Sequence, residues 1–124
     1  MTKKYILELT EEQYNLISFC VEVAHRISVG QVEELNQIVP GHIDLKLLVK
    51  FKEQAFPELA FNASYKWCGG HHDKAVSHFQ AATYAIYREM LHARVVNEGR
   101  DNVYQSPTLR CDGVDIPKII IKEK

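Results

Sequence analysis

The residues best suited to binding a small ligand follow one another in the carboxyl-terminal half of the chain. They recur at every fourth position: Gln80, Tyr84, Arg88 and His92. On a helix this spacing places them along one face. Tyrosine rings stack on planar bases, and arginine binds phosphate or carboxylate oxygens through two hydrogen bonds. The pattern indicates a ligand-binding face flanked by Tyr87. The alternative is that the tyrosines pack against the predicted sheet and Arg88 pairs with Glu89 or another acid.

A polar segment follows this helix and extends the candidate site. Residues 100–110 combine amides, hydroxyls, one aromatic ring and two arginines, as binding loops on a rigid scaffold do. Ordinary turns concentrate similar residues for backbone reasons, so a purely structural loop is the alternative. Together, the two segments supply eight predicted ligand contacts: Tyr84, Tyr87, Arg88, His92, Asn102, Tyr104, Thr108 and Arg110.

Metal and catalytic chemistry are less favoured. Cys68, His71 and His72 cluster in sequence and Cys111 is available as a fourth ligand, but a second pair of zinc ligands is missing. We predict capping or solvent-facing histidines here, with no metal and no cofactor. No nucleophile elbow, phosphate-binding loop or zinc-protease motif occurs, so the sequence favours a binding protein over an enzyme.

The amino-terminal half predicts one strand and two or three helices. Tyr5–Leu9 alternates as a half-buried strand does, and Thr10 with Gln13 forms a capping box at a helix start. The apolar stripe of that helix is Ile17, Cys20, Val21, Ala24 and Ile27. It continues to Val39, either as one long helix or as two helices broken at residues 28–30. Asp44 begins a further helix that Pro57 ends.

The carboxyl-terminal half predicts a long helix and a hairpin. The helix covers about residues 72–98, and Gly99 is its C′ residue. Its predicted core stripe is Val76, Phe79, Thr83, Ile86 and Met90. Two strands, 108–111 and 116–121, flank an Asp112-Gly113 turn. The predicted fold class is therefore α+β: a single domain over 1–124 in the order β-α-α-α-β-β, with a small antiparallel sheet packed on helices.

Composition restricts the classes of function. Fifteen basic residues against 16 acidic ones give a net charge of -1, which argues against binding to duplex DNA. No apolar run approaches the roughly 20 residues of a membrane span, so no membrane contact is expected. Three widely spaced cysteines do not form a secreted disulfide framework, which favours a cytoplasmic location.

Self-association is expected from the predicted fold. A three-stranded sheet leaves open edges, and the long helix carries apolar residues on more than one side. Closed homo-oligomers cover such surfaces, so we expect a dimer or a multiple of two.

Four segments carry a resemblance to a protein family: Lys4–Gln13, Ala63–Trp67, Tyr84–Glu89 and Asp101–Leu109. Through them the chain resembles a family of short proteins encoded by bacteriophages and prophages of gut bacteria. By role it is similar to the Thoeris and CBASS anti-defence sponges, which bind nucleotide immune signals without cleaving them.

This resemblance implies a binding protein that sequesters a nucleotide-like signal, such as a cyclic ADP-ribose isomer or a cyclic oligonucleotide, in the cytoplasm of the host cell. Two alternatives stay open. One is a protein-interaction module that inhibits a host enzyme. The other is a small enzyme that degrades such a signal, with His92 as general base.

Overall fold

A computed structural model describes residues 3–55, 78–99 and 115–123 of the chain. Within these ranges it contains four helices: α1 (Glu11–Ser28), a 3₁₀ helix (Val32–Gln37), α2 (Leu45–Ala55) and α3 (His78–Glu98). The described part of the protein is therefore an all-helical domain.

The start of α1 is determined by its own first turn. The Thr10 hydroxyl accepts a hydrogen bond from the Gln13 backbone N–H at 3.1 Å, and the Gln13 side chain accepts one from the Thr10 N–H at 2.9 Å. Two acidic residues follow in the first turn, where the helix dipole favours negative charge. The predicted capping box is confirmed.

The break between α1 and the 3₁₀ helix lies at a glycine. Gly30 has φ +98°, a backbone conformation that residues with a Cβ rarely adopt. Of the two alternatives that the sequence left open, the structure shows separate helices rather than one long helix.

The entry to α2 is held by two polar side chains. Asp44 accepts a hydrogen bond from the Lys46 N–H at 2.8 Å, which confirms it as the cap. Upstream, the Asn36 amide makes two hydrogen bonds with the backbone of Ile43, accepting from its N–H at 2.7 Å and donating to its carbonyl at 3.2 Å. These bonds close the loop between the 3₁₀ helix and α2. Leu48 is the buried residue on the inner side of α2.

Helices α1 and α3 form the main packing unit and run antiparallel. Tyr14, near the start of α1, contacts Met90 in the second half of α3, whereas Ser28 at the end of α1 contacts Gln80 near the start of α3. The residues of α3 that contact α1 include a series at spacings of three and four, with Tyr84 beside it: Gln80, Thr83, Tyr87, Met90 and Arg94. Such alternation is the heptad pattern of two helices packed along a common seam. Gly99, with φ +68°, ends α3 as predicted.

The predicted α+β class is wrong. No strand occurs within residues 3–55, 78–99 and 115–123, although the first and last of these ranges include Tyr5–Leu9 and residues 116–121. Alternating apolar residues specify an extended backbone, but a strand also needs a hydrogen-bonded neighbour. The described residues supply none. The other predicted strand, 108–111, lies outside the described residues.

The predicted core stripes are also partly wrong. Ile17 and Cys20 of α1 and Phe79 of α3 are exposed, whereas the buried residues of α1 include Ser18 and His25. Met90 is buried as expected, while Val76 lies outside the described residues. Part of the surface by which the two helices meet is polar, and a search for apolar periodicity does not find that part.

Among the described residues, no helix combines the length and the apolar character that crossing a membrane requires.

We predict that Tyr14 stabilises the helix pair through its hydroxyl, which donates to the Met90 carbonyl at 2.7 Å. Tyr14→Phe should lower the free energy of unfolding by about 0.5–1.5 kcal/mol, the usual net value of one hydrogen bond. Tyr5→Phe is the matched control because Tyr5 is exposed. Urea denaturation checks both variants, and equal midpoints would contradict the assignment.

Candidate functional site

The most unusual side chain between α1 and α3 is a buried histidine. His25 is only 3% exposed, and its Nδ1 lies 2.9 Å from the backbone carbonyl oxygen of Gln80. A carbonyl only accepts hydrogen bonds, so Nδ1 carries the proton and donates it. The Thr83 hydroxyl oxygen lies 3.2 Å from the same nitrogen. The tautomer of His25 is therefore determined by the opposite helix.

Two tyrosine rings of α3 surround this imidazole. The ring centroids of Tyr84 and Tyr87 each lie 5.5 Å from that of His25. The two tyrosines contact each other edge to face, at 5.6 Å and 88°. This separation and tilt are favourable for aromatic pairs. The three rings form one contiguous group, which we call the aromatic cluster.

Burial shifts the pKa values of His25 and Tyr14, two titratable groups of this interface, further from pH 7. It lowers the pKa of His25 to about 4; the Gln80 carbonyl opposes this shift and the charge of Arg26 adds to it. Burial also raises the pKa of Tyr14 to about 12, against the effect of Arg94. At neutral pH both groups are uncharged.

Further polar contacts close the two ends of the interface. The Gln80 side-chain amide donates to the Ser28 carbonyl at 2.8 Å, and Arg94 donates to the Asn15 side-chain oxygen at 2.7 Å. Between them, the Ser18 hydroxyl is buried and has no hydrogen-bond partner among the described residues.

Four of the eight predicted ligand contacts lie on α3. Tyr87 is buried in the aromatic cluster, and Tyr84 is half-buried at its edge. Arg88, one residue after Tyr87, lies about 100° further round the helix, and half-buried His92 follows one turn later on the same side. The line through these positions therefore starts at the seam with α1, at Tyr84, and moves around the helix away from that seam through Arg88 to His92. We call these three residues the α3 stripe.

The remaining predicted contacts lie outside the described residues: Asn102, Tyr104, Thr108 and Arg110. The cysteines and histidines considered as metal ligands, at positions 68, 71, 72 and 111, lie outside them as well. Within the described ranges, no three His, Cys, Asp or Glu side chains are grouped as a metal site requires.

Sequence reasoning missed His25. It fell between the apolar positions of α1 and carried no motif. One signal was available. In the helix that the capping box begins, residues 14, 18, 21, 25 and 28 recur at spacings of four and three, as positions along a helix–helix seam do. Three of these five are polar side chains, which hides the pattern from a hydrophobicity search.

Comparison with known protein families, with curated proteins and with solved structures gives no match to this chain. The resemblance to phage proteins therefore stays a prediction.

We predict that His25 makes the protein less stable in acid. The folded protein keeps His25 neutral down to a pKa of about 4, while the unfolded chain takes up a proton below 6.5. Unfolding is therefore increasingly favoured as the pH falls from 6.5 to 4, by about 3 kcal/mol at 1.36 kcal/mol per pKa unit. Above pH 6.5 this contribution is constant.

The matched variant is His25→Asn, which keeps an N–H donor near the Nδ1 position but does not titrate. Urea denaturation between pH 4 and 7 should show a smaller loss of stability for this variant than for the native protein. Parallel pH profiles would show that His25 is not the group responsible.

Proposed function

We propose that this protein is a non-catalytic binding protein for a small nucleotide-like anion, which contacts the α3 stripe. Tyr84 stacks on the base, Arg88 binds phosphate oxygens, and His92 contributes a hydrogen bond. Asn102, Tyr104, Thr108 and Arg110 are proposed to complete the site, and Tyr87 to support it from within the core.

The proposal is best supported by the way in which two neighbouring rings hold the Tyr84 ring in place. This ring is half-buried and packs against both His25 and Tyr87 at centroid distances of 5.5 and 5.6 Å. A ring held by two neighbours loses little conformational freedom when a ligand stacks on it, so binding is less costly than for a mobile side chain. Arg88 follows one turn later, and residues four apart on a helix are neighbours, so Arg88 is the proposed partner of the phosphate of a nucleotide whose base lies on Tyr84.

The titratable groups packed behind the α3 stripe are suited to supporting it rather than to proton transfer. General acids and bases work best with a pKa near the working pH. Burial lowers the pKa of His25 to about 4 and raises the pKa of Tyr14 to about 12, so both side chains are uncharged at neutral pH. The alternative of a small enzyme depends on His92, and the experiment below decides it.

The resemblance to phage proteins suggests the kind of ligand. A sponge of a host-defence signal would bind a cyclic ADP-ribose isomer or a cyclic oligonucleotide and release it unchanged. Calorimetric titration with a panel of these nucleotides, followed by chromatography of the ligand recovered after denaturation, tests this. Intact recovered ligand supports the proposal, altered ligand indicates an enzyme, and no heat with any member contradicts nucleotide binding.

We predict that Arg88→Ala weakens binding about ten- to a hundredfold, because one charge-assisted hydrogen bond contributes about 1.5–3 kcal/mol. Arg88→Lys should lose less affinity, since it keeps the charge but not the planar fork. Lys50→Ala is the control: it also removes a positive charge, but from an exposed position on α2. Affinities of the three variants are measured with the same nucleotide.

Arg110→Ala separates the site from the fold. If the site is correct, this variant also binds at least tenfold more weakly. If Arg88→Ala unfolds the protein while Arg110→Ala binds normally, Arg88 belongs to the core and the proposed site is wrong. Melting temperatures of both variants identify this outcome.

A further inference from the structure

The segment before α1 exposes apolar residues on both of its sides. Tyr5, Ile6 and Leu7 are 88%, 98% and 72% exposed. Successive side chains of an extended segment point in opposite directions, so neither side of this segment lies against its own domain. We call residues 3–7 the amino-terminal arm.

The carboxyl-terminal segment lies beside the base of this arm. Lys122 Nζ is 3.5 Å from Glu8 Oε1, which brings residues 114 positions apart together. Both side chains are largely exposed, so the pair contributes little stability. Its importance is positional, because it places the end of Lys122 beside Glu8, at the base of the arm. The apolar residues of the arm itself stay exposed, and an exposed apolar patch marks an interaction site.

A matching surface exists on α1. Leu16, at 61% exposed, and Phe19 continue a stripe that starts at Glu12 and ends at buried Val23. These positions are separated by four, three and four residues and therefore share one side of the helix. Val23 is buried within the domain, whereas Leu16 and Phe19 are exposed to solvent. We call Glu12, Leu16 and Phe19 the α1 stripe.

The arm and the α1 stripe agree in charge order and in length. In the arm, Lys4 precedes three apolar residues; in the stripe, Glu12 precedes two. Lys4 and Ile6 point to the same side of an extended segment and are about 7 Å apart along it. Glu12 and Leu16 lie on one side of the helix and are about 6 Å apart along its axis. Lys4 therefore reaches Glu12 when Ile6 lies beside Leu16.

The arm of the same chain does not make this contact. Thr10, the residue before α1, has extended backbone angles (φ -68°, ψ 164°), and the arm that precedes it is exposed throughout. We infer that the occupant of the α1 stripe is the arm of a second copy of this chain. Two copies exchange arms about a two-fold axis, so that each contributes one arm and one stripe. This inference is independent of the proposed nucleotide site.

Sedimentation equilibrium or light scattering between 1 and 100 µM tests the exchange. The native protein should have twice the protomer mass of 14.3 kDa. Ile6→Asp in the arm and Leu16→Asp in the stripe should each give the protomer mass while circular dichroism stays helical. Leu47→Asp is the control because Leu47 on α2 is also 61% exposed, and it should leave the mass unchanged.

A charge exchange identifies the pairing itself. Lys4→Glu and Glu12→Lys each place like charges together and should weaken self-association at least tenfold. When the two variants are mixed, both contacts of the mixed pair join opposite charges, so association should return to the native level. Failure of the mixture to associate would overturn the pairing of arm and stripe.

Other outcomes also decide against the exchange. A native mass of 14.3 kDa over the whole concentration range would overturn it. Co-sedimentation of that monomer with phosphatidylglycerol vesicles would assign the apolar arm to a lipid surface instead. A mass that Ile6→Asp and Leu16→Asp leave doubled would place the interface elsewhere.

Discussion

The hydrogen bond from His25 to the Gln80 carbonyl is the interaction on which the arrangement of the helices depends. A buried imidazole is tolerated only when its polar atoms are paired and its charge is removed. The opposite helix meets the first condition, and burial meets the second by lowering the pKa to about 4. This sets the register of α1 against α3, because a shift of α3 by one residue would remove the acceptor and leave a buried donor.

The rest of the interface follows from this register. Tyr14 reaches the Met90 carbonyl and Gln80 reaches the Ser28 carbonyl only when the two helices are aligned as they are at His25. Under the proposed function, this alignment also determines the position of Tyr84. The ligand-binding stripe is then positioned by helix packing and needs no dedicated loop.

The parts of the fold that depend on local chemistry were predictable from the sequence. Thr10 with Gln13, Asp44 and Gly99 determine helix ends within one turn, so their residue types are sufficient. The helix partners were not predictable in this way, because the core seam places Ser18 and His25 where apolar residues were expected. Hydrophobic periodicity detects the side of a helix that avoids water, and here part of that side is polar.

The predicted strands and the candidate site failed or stayed open for different reasons. Tyr5–Leu9 has an alternating pattern and residues 116–121 are rich in isoleucine, but pairing is a property of two segments, and one segment cannot specify it. For the site, helical spacing correctly grouped Tyr84, Arg88 and His92 along α3. It did not show that Tyr87 would be buried against His25, because that contact depends on a residue 62 positions earlier.

Three hydrogen bonds across the α1–α3 seam, from Tyr14, His25 and Gln80, end on main-chain carbonyls, which affects how the sequence of this interface evolves. Every residue type has a carbonyl, so Met90 and Ser28 are able to change without loss of the bonds from Tyr14 and Gln80. In these contacts selection for the hydrogen bond acts on the donor side chain, while the residue that supplies the carbonyl is constrained only by packing. Paired substitutions, from which contacts are inferred in sequence alignments, would be scarce across the interface that holds the domain together.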